Sequence, residues 1–235
     1  ADDVAALAER VAGKTGAAAK FEQFQAIRQR IHSEMYAVDP EILTEAQDHC
    51  QQALDLFEVP QSDAWKEQPA FQNLSPQRQA LLEEAAVELL FVWARLEIAR
   101  SEAKPAGERQ PYHRRALDRL LSIQRFHAAM PALDLCIADA HEALGDAQAA
   151  AEARKRAASL RPTTALDYYL LGEQHARHGR QEAALASYGE ALGLRPDHYL
   201  SLLAAGVAFG ELKRYDLAEA TLTGAIALNP ASTFA

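Results

Sequence analysis

Two histidines, His175 and His178, stand three residues apart on a stretch with helical character, a spacing that could present two imidazoles to one metal ion. His141 falls in line with His175 one repeat earlier. No cysteine or carboxylate set accompanies them at a zinc-type spacing, so they read as structural or surface residues. Gly13-Lys14-Thr15 resembles the end of a phosphate-binding loop, yet Ala8 stands where that loop needs another glycine. The motif also needs a preceding strand, and this segment reads as helix with a flexible hinge. Cys50 and Cys136 are far apart and fit neither a metal nor a redox spacing. Carboxylates are plentiful, but helical proteins place most of them on solvated faces. The chain holds no Glu-x-x-His pair, nucleophile elbow or Cys/His signature, and no Gly-rich phosphate loop, His-Arg-Asp loop or Asp-Phe-Gly. We therefore assign no catalytic residue, no cofactor and no metal ligand, and read the chain as a non-enzyme. An enzyme of unrecognised type is the alternative, and would need a pocket holding several shifted titratable groups.

The elements that carry these residues are legible in composition. Hydrophobic residues make up 49% of the 235, enough for a continuous core, while aromatics are only 7%. Alanine and leucine supply most of the remainder and favour helix throughout. A net charge of −9 argues against broad nucleic-acid binding through phosphates. The most basic stretch, Arg100, Lys104, Arg109, Arg114, Arg115 and Arg119, is interrupted by Glu102, Glu108 and Asp118 and reads as a solvated helix face and loop. No apolar run is long enough to span a membrane, no signal peptide is visible, and two ordinary thiols suit a reducing compartment, so the expected location is cytoplasmic. The chain begins with Ala rather than Met and stops where another helix is expected after Pro230, which reads as a piece of a longer protein.

A period of 34 residues organises the C-terminal part. Ala150, Ala184 and Ala218 are in register, as are Ala157, Ala191 and Ala225, then Leu160, Leu194 and Leu228, then Pro162, Pro196 and Pro230. Such a period predicts stacked helix pairs, here 131–164, 165–198 and 199–232, with 233–235 starting a following helix. Close helix approach needs small side chains, supplied by Ala138, Gly172 and Gly206 on the first helices and by the Ala150 column on the second. Ile137, Leu171, Phe209, Tyr188 and Leu222 fill around them. Gly145 and Gly179 sit where first helices end and suit a left-handed residue; Lys213 takes that place in the third unit. Thr163 or Thr164, and Asp197, are the expected caps of the next first helices.

Upstream, residues 1–19 read as a short helix and a loose lead-in broken by Gly13 and Gly16. Phe21, Phe24, Ile27 and Ile31 predict a helix over about 19–36. Asp39-Pro40 starts a helix running to about Phe57, and 58–74 reads as a connector. Ser75-Pro76 opens the longest helix, to about Ala103. Its apolar residues cover more than one face, which predicts packing on both sides. A loop at Pro105, Gly107 and Pro111 leads to a helix over about 112–128. Residues 1–74 thus extend or cap the stack, and 75–130 form a degenerate helix pair with an inserted loop.

The second unit resembles the tetratricopeptide repeat. Leu171-Gly172, Ala184, Tyr188 and Pro196 match its pattern, with Tyr168 where the pattern has Trp and His175 where it has Tyr. The first unit departs from it, with Asp134 and Arg154 in place of the two aromatics. The resemblance implies an all-α, right-handed helical solenoid that binds another protein in a concave groove lined by first helices. The columns it places inward are Leu135, Asp139 and Glu142; Leu166, Tyr169, Glu173 and Arg177; and Leu200, Leu203, Val207 and Glu211. The family's carboxylate-clamping Lys, Asn and Arg are absent, the corresponding columns holding Leu135, Asp139, Leu170, Leu200 and Ala204. The expected partner is a protein segment with apolar anchors and some Lys or Arg, with no nucleic acid and no membrane insertion. Self-assembly into a homo-oligomer through the C-terminal end is the alternative. A narrower resemblance, carried by Ala165-Leu166-Asp167-Tyr168-Tyr169-Leu170-Leu171-Gly172, Leu194-Arg195-Pro196-Asp197-His198, Leu222-Thr223-Gly224-Ala225-Ile226-Ala227-Leu228 and Leu90-Phe91-Val92-Trp93-Ala94, is to the C-terminal repeat region of bacterial multidomain serine/threonine protein kinases. It implies a regulatory or docking region of a larger protein.

Overall fold

Prolines punctuate this alanine- and leucine-rich chain where a helix can begin. Pro40, Pro69, Pro76, Pro111 and Pro131 each sit in the first turn, where a missing N–H costs no hydrogen bond. The computed structural model describes residues 2–35, 39–59 and 64–229, with side chains from Val11 onward and Pro40 excepted. Every regular element among these is helical, so the fold is all-α as expected. The chain divides into two units, Ala1–His127 and Ala128–Ala235.

The first unit holds α1 (Asp2–Glu34), α2 (Pro40–Asp55), α3 (Pro69–Gln72), α4 (Pro76–Glu102) and α5 (Gln110–Gln124). Helix α4 is its axis and packs on α1, α2 and α5. From Ala85 to Ala94 it is buried around its whole circumference, as its wide apolar arc predicts. Ser75 caps α4 by accepting from the Arg78 N–H, and Asp39 caps α2 by accepting from the Glu41 N–H at 2.8 Å. Two expectations need correction. Gly13 and Gly16 do not break the lead-in: α1 runs through both, because each costs only about 1 kcal/mol against a flank of strong helix formers. Nor is 58–74 a mere connector, for Trp65 in a 3₁₀ turn and Phe71 on α3 are buried. The Trp65 ring meets Phe71 and Phe126 edge-on at 5.1 and 5.5 Å, geometries that aromatic quadrupoles favour.

The second unit is three antiparallel helix pairs: α6 (Pro131–Ala143) with α7 (Ala147–Ser159), α8 (Ala165–Arg177) with α9 (Gln181–Leu194), and α10 (Tyr199–Glu211) with α11 (Tyr215–Leu228). The period's small residues do what spacing required. A Cβ on Gly172 would fall 2.3 Å from the Tyr188 ring, and one on Gly206 would fall 2.6 Å from Leu222. Ala150, Ala184 and Ala218 are buried at the pair crossings. Each pair turns through a left-handed residue, Gly145 at φ +85, Gly179 at φ +70 and Lys213 at φ +59, so the third unit holds a lysine in the conformation glycine prefers. Thr164 caps α8 in a full capping box with Asp167. Asp197 does not cap α10. His198 occupies the cap position, and its Nδ1 pairs with Ser201 Oγ at 2.7 Å.

Candidate partner-binding surface

The first helices α6, α8 and α10 carry the residues that the repeat pattern assigns to a partner, and packing sorts them into two sets. Leu166, Tyr169 and Glu173 share one face of α8 and are buried, as are Leu200 and Leu203 on α10. Tyr169 is 1% exposed, with its ring 6.2 Å from Tyr188 and 5.5 Å from His198, so it joins the second pair to the third. Leu135 and Asp139 are half-buried on α6, while Glu142, Arg177, Val207 and Glu211 are exposed. The buried set fixes the helices; the second set is open to solvent in part or in full.

The acidic residues of this face are mostly engaged within the unit. Glu173 accepts a hydrogen bond from the Tyr188 hydroxyl at 2.7 Å. Asp139 Oδ2 accepts from Gln174 Nε2 at 2.5 Å, from Arg177 Nη2 at 2.5 Å and from His178 Nε2 at 2.9 Å. Burial works against the Asp139 charge, but these hydrogen bonds and the Arg177 guanidinium outweigh it and hold the carboxyl below its ordinary range. Gln174 completes the arrangement by accepting from Cys136 Sγ at 3.0 Å, and Glu142 is ion-paired with Arg154. A polar hub therefore ties α6 to α8, while Glu211 stands exposed on α10. His175 does not join His178 at the hub. It is half-buried, and desolvation, then the charges of Arg180 and His178, lower its pKa. Among the described residues no three His, Cys, Asp or Glu side chains converge as a metal site would require. Nor is any described helix long and apolar enough to cross a membrane.

Three features lie outside the expected set. In the first unit Glu88, fully buried on α4, is bound by Arg28 through Nε at 2.9 Å and Nη2 at 2.5 Å, and by His32 Nε2 at 2.6 Å. A lone carboxylate inside the apolar run of α4 was its only sequence trace. A cavity of about 440 Å³ in the same unit is lined by Gln51, Trp93, Asp118, Arg119, Leu121 and Ser122, with Arg125 at its edge. Here the basic stretch departs from its reading as a solvated face. Arg115 bridges to Glu97 at 2.9 Å, and the Arg119 guanidinium lies 3.7 Å above the Trp93 ring. The third feature is an apolar groove of about 340 Å³ formed by Leu185, Leu192, Leu202 and Phe209 with Gly189 and Gly224.

Residues 200–232, which span α10 and α11, match the tetratricopeptide repeat family model. No curated protein matches the sequence significantly. Among solved structures the chain is similar to MamA, at 15% identity and a TM-score of 0.36, covering 81% of this chain and 91% of that one. It is similar to the APC/C hetero-tetramer Cut9-Hcn1, at 17% identity and a TM-score of 0.38, over 80% of this chain and 30% of that one. A thermophilic TPR protein in Thermus thermophilus matches at 21% identity and a TM-score of 0.35, over 77% of this chain and 97% of that one.

Proposed function

We propose that this chain is a non-catalytic scaffold that binds a segment of a partner protein on the first-helix face of its repeats, across α6, α8 and α10. The observation that carries the reading is the division of that face: Tyr169, Leu166, Leu200 and Leu203 are locked inside, so Leu135, Arg177, Val207 and Glu211 stand on a preformed support. A surface that needs little reorganisation keeps more of its interaction energy for binding. The repeat match over 200–232 supports a protein-interaction role. Leu135 and Val207 offer apolar anchor points, and Glu211 offers a charge for Lys or Arg of the partner. Capture from a lysate of the source organism tests this, with a control carrying Val207→Glu and Glu211→Lys. Both residues are exposed, so the fold is retained. A protein held by the native chain and lost on the control supports the reading. Equal recovery moves the working surface elsewhere. Anisotropy against basic and acidic peptides of matched hydrophobicity tests the partner's sign, and equal or inverted preference removes it. The attachment to a larger, kinase-bearing protein rests on the narrower resemblance alone, and the reading frame upstream of Ala1 decides it.

Self-assembly is a second reading, favoured by one observation. Leu194, Tyr215, Leu217, Ile226 and Leu228 are large apolar side chains exposed along α11 and at the end of α9. Light scattering of the native chain against Leu217→Glu distinguishes the two: a dimer lost on substitution favours assembly, and a monomer in both favours the scaffold.

A further inference from the structure

Four hydroxyls of this chain stand three residues after an arginine: Ser33, Ser122, Ser159 and Thr164. Arginine-selecting serine/threonine kinases read that spacing, because carboxylates in their substrate channel bind guanidinium groups upstream of the accepting hydroxyl. Packing separates the four. Ser122 is buried. Ser33 is half-buried within α1 and is followed by Glu34, whose charge such a channel repels. The Thr164 hydroxyl is held in the capping box of α8, where it accepts from the Asp167 N–H. Ser159 is exposed and is the last residue of α7, with its Oγ donating to the Arg156 carbonyl at 2.7 Å. Leu160 after it is already extended, at φ −101 and ψ 157, and leads into Arg161-Pro162-Thr163 outside any helix.

Cations are dense around Ser159. Arg154, Lys155 and Arg156 fill the positions five to three residues before it, Arg161 stands two after it, and no carboxylate lies between Glu152 and Asp167. Two of these cations have partners. Arg154 is paired with Glu142, both exposed, and Arg156 binds buried Asp134 through Nε at 3.0 Å and Nη2 at 2.9 Å. An exposed pair contributes little and yields readily to a competing carboxylate. Lys155 and Arg161 are exposed and meet no carboxylate among the described residues. Leu160 adds an apolar group immediately after the hydroxyl. The last carbonyls of a helix have no intrahelical partner, so the end of α7 opens at small cost and can extend along an enzyme's channel.

We propose that Ser159 is a phosphorylation site for an arginine-selecting serine/threonine protein kinase, and that its phosphate competes with Asp134 for Arg156. The Ser159 Oγ attacks the γ-phosphorus of a nucleoside triphosphate held by the kinase. The new O–P bond forms as the bond to the diphosphate breaks, and the hydroxyl proton passes to the kinase's base. The product carries roughly two negative charges at the C-terminal end of α7, where the helix dipole opposes them. Arg156, three residues back on the same helix surface and half-exposed, is within reach of the phosphate. Its departure leaves the Asp134 carboxylate buried on α6 with less compensation, and the first helix pair loosens. The inference does not rest on the scaffold reading.

The test treats the full chain with ATP and the catalytic subunit of cyclic-AMP-dependent protein kinase, and separately with ATP and lysate of the source organism. Casein kinase II, which selects acidic flanks, is the control. Mass spectrometry is expected to place phosphate on Ser159 in the first two reactions. Arg154→Gln with Lys155→Gln, both at exposed positions, is expected to slow transfer by about tenfold while leaving the fold intact. Hydrogen exchange of the phosphorylated chain is expected to show protection lost in α6 around Asp134, and Ser159→Ala to abolish both signals. Absence of phosphate on Ser159 in either reaction, an equal rate with casein kinase II, or an unchanged rate in the double variant overturns the site. Protection lost only in the last turn of α7 overturns the competition for Arg156, since the helix dipole alone accounts for that. None of these outcomes involves a partner of the repeat face, so the two readings can fail separately.

Discussion

The two units hold helices together by opposite means. The first buries bulk and charge: Trp65, Phe24, Phe57 and Leu90 fill its core, with Glu88, Arg28 and His32 as an ionic centre. The second brings small residues to its crossings. These are made by Ala150, Ala184, Ala191 and Gly172, with Leu133, Ile137, Leu166, Tyr169 and Leu200 packed between them. A core of large groups tolerates irregular helix lengths, because side chains can reach. A core of small groups demands a strict register, because only close backbones make contact. That is why the second unit repeats and the first does not.

The comparison breaks most readily at Glu88. Glu88→Ala removes the fully buried partner of the partly exposed Arg28 guanidinium, a loss of up to about 3–5 kcal/mol by urea denaturation. Hydrogen exchange should place the damage in α1, α2 and α4. Protection lost first in α8 and α9 instead would show that the ionic centre does not hold the first unit. The same cluster sets a pH dependence. Burial alone would raise the Glu88 pKa, but Arg28 and His32 outweigh it and hold the carboxyl well below its ordinary range. Desolvation, only partly offset by Glu88, lowers the His32 pKa, so the ring is neutral and its Nε2–H donates to Glu88. Both folded pKa values are depressed, so both groups stabilise the fold above their unfolded values and lose that contribution on acidification. Stability should therefore decline first below about pH 6.5, through His32, and further below about pH 4.3, through Glu88. Melting midpoints across that range check it, and a His32→Asn variant should flatten the upper step.

The next effect belongs to the second unit. Gly172→Ala puts a methyl 2.3 Å from the Tyr188 ring and should cost about 1–3 kcal/mol. Gly189→Ala, in the next helix with open space at its Cβ, should instead stabilise by up to about 1 kcal/mol. Thermal melts of the pair read the sign directly. If both variants shift the same way, close approach is not what fixes the register. This contrast was visible in the sequence because the 34-residue period aligns Gly172 with Ala138 and Gly206, and Tyr188 with Leu222. Periodicity encodes which residues share a crossing. It says nothing of contacts outside the period, so Trp65 in a segment read as a connector and Arg119 stacked on Trp93 went unseen. Leu166 and Tyr169 were read as facing a partner, yet spacing alone does not distinguish a residue that joins two repeats from one that waits for a partner.

A smaller loss is expected at Tyr188→Phe. The ring still closes on Gly172, but the 2.7 Å hydrogen bond to buried Glu173 disappears, for about 1 kcal/mol. If the midpoint does not move, the aromatic column acts through shape alone.

The smallest effect sharpens the comparison within the second unit. Arg154 occupies the position of Tyr188 one repeat earlier, but it lies on the surface, paired with Glu142 and 3.9 Å from Asp139. Exposed ion pairs contribute little, so Arg154→Ala should change stability by less than about 1 kcal/mol. Asp134, which replaces the other aromatic, is buried and bound by Arg156 at 2.9 Å, so the first pair has exchanged aromatic packing for ion pairs at both columns. Titrating salt separates the two designs. The Arg154 contribution should vanish by about 1 M salt, where screening extends to a few Å, while the Gly172–Tyr188 contact should persist. A salt-insensitive Arg154 would mean that its aliphatic stem packs as Tyr188 does, and the first pair would then obey the same rule as its neighbours.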